Sequence, residues 1–133
     1  MSSYETWVAT FDGQVGRVYG VDEEKRLRHL ESEGRDSRPN SDSQPDRLRV
    51  PHTGETAGYI TEPQFVEQFT RHLDERGRAG AFQRLIVSAD PNALHYFRDA
   101  VPPTLKAKVA AELNKDHVHT PVKAFEAAIS EHL

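Results

Sequence analysis

The residues best suited to chemistry lie together in the stretch NKDHVHTP, residues 114–121. If this stretch is extended, His117 and His119 share one face, because side chains alternate along a strand. A His-x-His pair is a zinc-ligand spacing, although a third ligand would have to come from elsewhere. Alternatively the strand ends near Asp116, and both histidines are surface residues that lead to a helix capped by Thr120. We favour this second interpretation and assign no metal.

A second polar group, SADPN at residues 88–92, follows a short apolar run. Ligands in α/β sheets favour the carboxyl ends of strands, and a helix N-terminus attracts anions. The simpler role for Asp90 is an N-cap, because an aspartate there satisfies free backbone N–H groups. We predict no catalytic residue, since Ser88 lacks the G-x-S-x-G context of a hydrolase nucleophile. The candidate binding residues are Asp90, Asn92, Arg98, Lys115 and Asp116.

The enzyme alternative is a metal-dependent hydrolase or nuclease that uses carboxylates at strand ends. It would require Asp90 and Asp116 to converge on a pocket and bind a divalent ion, and a wider metal cluster would add Asp12. However, Asp12 precedes Gly13, and this pair is typical of a hairpin turn. We therefore expect no cofactor, and we favour binding over catalysis.

Composition and charge restrict the classes of protein and partner. The chain has 133 residues, which is enough for one domain. It has no cysteine, so disulfides and thiolate zinc sites are excluded. The net charge of −4 gives no basic footprint for a nucleic acid or a membrane, although it does not exclude a local basic patch. The first residues do not resemble a signal peptide, so we expect a cytoplasmic protein.

The elements that must position these residues follow from apolar spacing. The first 33 residues predict an antiparallel three-stranded meander that turns first at Asp12-Gly13 and ends in an edge strand. Residues 34–60 are polar and rich in proline, and they predict a long flexible loop. From Thr61, a predicted N-cap, the pattern is helix-strand-helix-strand-helix. We predict a single α/β domain over residues 1–133, with a mixed sheet and helices packed on it.

Two apolar patterns predict which side chains these elements bury. On the first strand, Trp7, Ala9 and Phe11 share one face, and Val8 and Thr10 lie on the other. On the last helix, one apolar face is formed by Val122, Phe125, Ala128 and Ile129.

Both ends of the chain carry motifs that resemble a known family. The opening WVATFDGQVGRVYG is similar to that family's first strand, turn and second strand. Near the other end the matching residues are Pro91, Leu94 and Arg98, followed by Glu112, Leu113, Lys115 and Asp116. The family is that of bacterial proteins required for attachment to host cells, which is distantly similar to archaeo-eukaryotic release-factor domains.

The resemblance implies an α/β fold with a mixed sheet, in agreement with the pattern of elements. It also implies a cytoplasmic binding or adaptor domain that could contact the ribosome or RNA. Peptide release is not implied, because the sequence contains no Gly-Gly-Gln tripeptide.

Overall fold

The described residues fold around a five-stranded mixed sheet in the order β3-β2-β1-β4-β5. The computed structural model describes residues 4–34 and 60–133. The strands are β1 (Thr6–Phe11), β2 (Val15–Val21), β3 (Leu27–Gly34), β4 (Arg84–Ala89) and β5 (Val109–Leu113). The helices are α1 (Glu62–Arg78), α2 (Pro91–Ala100), α3 (Pro103–Lys106) and α4 (Val122–Ile129), followed by a 3₁₀ turn at Ser130–His132.

This architecture confirms the predicted α/β class and the predicted order of elements. Strand β3 lies at the sheet edge, as predicted. The long loop predicted at 34–60 falls almost entirely outside the described residues, and the single-domain assignment stays a prediction. Among the residues described, no helix is long and apolar enough to cross a membrane.

Strand β1 lies at the centre of the sheet and decides which strand ends meet. It pairs antiparallel with β2 and parallel with β4. Strand β4 in turn pairs parallel with β5. The carboxyl ends of β1, β4 and β5 therefore lie at the same edge of the sheet.

Side-chain caps and turns explain where several elements begin. The hairpin turn forms because one Asp12 carboxylate oxygen accepts the backbone N–H groups of Gln14 and Val15, at 2.7 and 2.8 Å. Helix α1 begins with a capping box between Thr61 and Gln64. The predicted cap at Thr120 is wrong: Pro121 occupies the N-cap position of α4, which has no side-chain cap.

The two faces of the sheet carry separate apolar clusters. Trp7, Ala9 and Phe11 share one face, as predicted, and they pack beneath α1 and α2. Val8 belongs to the other cluster, which α4 covers with Phe125 and Ile129. The predicted apolar face of α4 is too wide, because Val122 is 38% exposed and Ala128 is also exposed.

Candidate functional site

We call residues 12–14, 90–92 and 114–117 the carboxyl edge, since they follow the carboxyl ends of the three parallel strands. In open α/β sheets, ligands bind at this edge where the chain's strand order reverses direction. Here the chain places β2 and β3 on one side of β1, and β4 and β5 on the other. The reversal therefore lies between β1 and β4.

Backbone from the chain itself occupies this position. Thr10 and Ser88 face each other across β1 and β4, and both are fully buried. The Thr10 hydroxyl oxygen accepts the backbone N–H of His117 at 2.8 Å. The Ser88 hydroxyl donates to the backbone carbonyl of Lys115 at 2.5 Å. Residues 115–117 are thus held over the point where a ligand crevice would otherwise open.

His117 belongs to the interior, so the prediction that it is a surface residue is wrong. It is 8% exposed, and its ring stacks on Phe125 with centroids 4.7 Å apart. Its Nδ1 lies 3.2 Å from the hydroxyl oxygen of Thr120. This contact engages the hydroxyl group that was predicted to cap α4. Burial lowers the pKa of His117, the positive charge of Lys115 lowers it further, and Asp116 opposes them. The neutral imidazole is therefore the form that the fold favours.

The two histidines do not lie on one extended strand. Strand β5 ends at Leu113, and the backbone turns before His117. His119 is exposed. Because the regular alternation ends before both residues, the spacing argument for a metal pair does not apply.

The strand-end carboxylates have local roles. Asp90 accepts the backbone N–H of Ala93 at 2.7 Å, which confirms it as the N-cap of α2. Asp12 holds the hairpin turn, and Asp116 is half-buried. Within residues 4–34 and 60–133, no group of three donor residues close enough to share one ion includes any of these aspartates.

The other candidate binding residues lie nearer to solvent. The Arg98 guanidinium joins α2 to β5 through Glu112, with 2.8 Å between Nε and Oε1. Asn92 and Lys115 are exposed. Over the described part of the chain, Lys115 has no carboxylate within ion-pair distance, so its charge is available to a partner. The binding role of all five candidates stays a prediction.

One cation near this edge was missed by the sequence analysis. Arg17 lies opposite Thr10 on β2. Its Nε is buried and has no hydrogen-bond partner among the described residues. The sequence signal for Arg17 was its position inside a predicted strand, between residues that are themselves buried.

Two open clefts lie away from the carboxyl edge. One, of about 630 Å³, lies beside the turn between β2 and β3 and is bordered by Tyr4, Glu5, Asp22 and Glu23. Another, of about 510 Å³, lies beside α4 and is bordered by Lys25, Lys123, Glu126 and Leu133. Neither cleft contains a predicted binding residue.

The fold and the closed crevice define an α/β domain whose usual ligand position is occupied by its own chain. The model of the bacterial archaeo-eukaryotic release factor family 12 matches residues 5–129, and the chain belongs to this family. No curated protein matches the chain. A solved structure described as an archaeal protein is similar, with 14% identity and a TM-score of 0.55.

The likeness to the archaeal protein shows the fold alone. It covers 96% of this chain but 33% of that one, so this chain spans about a third of the archaeal protein. The predicted likeness to release-factor domains is confirmed by the family match. The predicted relationship to host-attachment proteins stays a prediction.

Proposed function

We propose that this protein is a non-enzymatic, cytoplasmic binding domain that associates with the translation machinery through ribosomal RNA. The observation that carries the proposal is membership of a release-factor family over residues 5–129. Peptide release itself is not proposed, because the chain has no Gly-Gly-Gln tripeptide.

The carboxyl edge supports binding rather than hydrolysis. A two-carboxylate metal mechanism needs carboxylates that are free to hold an ion. Asp12 and Asp90 instead accept backbone N–H groups of their own turn and helix. The crevice between β1 and β4 is also filled by residues 115–117.

The exposed cation at this edge supports an RNA partner. The Lys115 side chain is exposed and unpaired within residues 4–34 and 60–133, and its backbone is held by Ser88. A lysine on a fixed backbone can neutralise a phosphate, and phosphate contacts dominate nucleic-acid affinity. The acidic total charge does not oppose this, since screening limits distant charges at physiological salt.

The likeness to host-attachment proteins is compatible with this role. That family name records a phenotype of the cell, so it does not require the protein to lie on the cell surface. We propose that any effect on attachment is indirect and follows from the contact with the translation machinery.

Co-sedimentation with ribosomes from a cell lysate tests the proposal. We expect the tagged protein to pellet with ribosomal particles at low salt, because phosphate contacts are strongest there. High salt or RNase treatment should move it to the supernatant. Protein that stays in the supernatant at low salt would refute the association.

A further inference from the structure

Three metal-donor side chains meet between α1 and β3, on the face of the sheet that α1 covers. They are Glu31, Glu33 and His72, and their donor atoms all lie within 4.8 Å of one another. The two glutamates share one face of β3, because side chains alternate along a strand. That face is turned towards α1, since Glu31 and Glu33 are paired with Val18 and Gly16, and Phe69 of α1 lies over Gly16.

The three residues lie in a paired strand and a helix, although the pairing of β3 shifts register just before Glu31. Strand β3 is paired with β2 from Leu27 to Gly34, and His72 lies inside the 17-residue helix α1. His72 Nε2 lies 2.6 Å from Glu31 Oε1, and these two side chains are 24% and 27% exposed. Only side-chain rotation is therefore needed to rearrange the donors around an ion.

The charge of the group favours a cation. Arg76 contacts the second oxygen of Glu31 at 3.4 Å. The Glu33 carboxylate has no ion pair or hydrogen bond within the described residues. Two carboxylates and one guanidinium leave a net charge of −1 while the imidazole is neutral.

We propose that Glu31, Glu33 and His72 form a binding site for a divalent transition-metal ion of the zinc type, with water completing the coordination. One imidazole nitrogen and two carboxylate oxygens are donors that zinc accepts. At zinc–ligand distances, such donors stand roughly 3.3 Å apart, so a small closure of the present group suffices. Mg²⁺ and Ca²⁺ prefer oxygen donors alone, and the imidazole therefore selects against them.

Arg76 keeps a role when the ion is bound. It can remain on the second oxygen of Glu31 and fix the orientation of that ligand, as outer-shell partners do in metal sites. The bound ion would join the edge strand β3 to α1 more tightly than the ion pair alone. The site is independent of the proposed ribosome association, so either can fail without the other.

Titration of untagged, chelator-treated protein with Zn²⁺ tests the site. We expect one Zn²⁺ per chain by calorimetry and a rise in melting temperature, with no comparable effect of Mg²⁺. Glu33→Gln should weaken the affinity roughly tenfold or more, and His72→Gln at least as much, because each removes one donor. Glu33→Gln breaks no contact within the described residues, so it should leave the fold intact.

A matched control is Glu67→Gln on the exposed side of α1, where Glu67 pairs with Arg71. It should bind Zn²⁺ as the wild type does. Affinity should also fall as the pH is lowered, because protons compete for His72. Absence of stoichiometric binding, or binding that both site variants leave unchanged, would overturn the proposal.

Discussion

Replacing Thr10 with valine tests whether residues 115–117 close the crevice between β1 and β4. Valine keeps the shape of threonine but cannot accept a hydrogen bond. The backbone N–H of His117 would lose its acceptor at a site where Thr10 is fully buried and His117 is 8% exposed. A buried donor left without a partner costs about 1–3 kcal/mol. We expect Thr10→Val to reduce the free energy of unfolding by that amount.

Urea unfolding measures the loss, and hydrogen exchange of the His117 amide shows whether it arises at this site. Thr70→Val is the matched control, because Thr70 is equally buried on α1. Its hydroxyl donates to the Val66 carbonyl, which the helix backbone also satisfies, so no buried group is left unpaired. The control should lose less than about 1 kcal/mol. An equal loss in both variants, or an unchanged His117 amide, would refute the reasoning.

Three further predictions concern strand β2, the buried His117 and the cap of α2. Gly16→Ala would place a Cβ 2.7 Å from the buried Phe69 ring; urea unfolding should show a loss of about 1–3 kcal/mol, and no loss would contradict the packing. The pKa of His117 is lowered from 6.5 in the fold. Protonation therefore favours the unfolded chain, and stability should fall as the pH drops below 6.5. His117→Gln should lack that part of the decline across pH 5–8, and an identical pH profile would contradict it. Asp90→Ala should lose about 1 kcal/mol by removing the cap, whereas Asp90→Asn should lose little; equal losses would exclude a capping role.

Local signals in the sequence predicted the local structure well. The turn at Asp12-Gly13, the caps at Thr61 and Asp90, and the faces of β1 each depend on residues within a few positions of one another. Such features are set by backbone hydrogen bonding and by the alternation of side chains. These predictions were therefore confirmed by the structure.

The pairing of β1 with β4 was beyond the reach of local patterns. Thr10 and Ser88 become neighbours only after the chain has formed two strands and α1 between them. The burial of His117 depends on that pairing, because Thr10 anchors its backbone. The polar stretch at residues 114–121 follows a strand and was therefore interpreted as surface. His117, within that stretch, is nevertheless buried.

The group on β3 and α1 was missed for the same reason. Glu31 and His72 are 41 positions apart in the chain, and the packing of α1 on the sheet brings them together. The available signal was the alternation Glu31-x-Glu33 on a predicted edge strand. That alternation alone is typical of a solvent-exposed strand. It indicates a binding site only when His72 on α1 is known to lie beside it.

The most direct test of the binding-domain account is the affinity of purified protein for purified ribosomes across a series of salt concentrations. We expect the logarithm of affinity to fall linearly with the logarithm of salt. Lys115→Glu should weaken binding and reduce that slope by about one. The control is Lys106→Glu, which makes the same charge change before β5 at the opposite edge of the sheet and should behave as the wild type. Absence of binding at low salt, or an affinity independent of salt, would contradict the account.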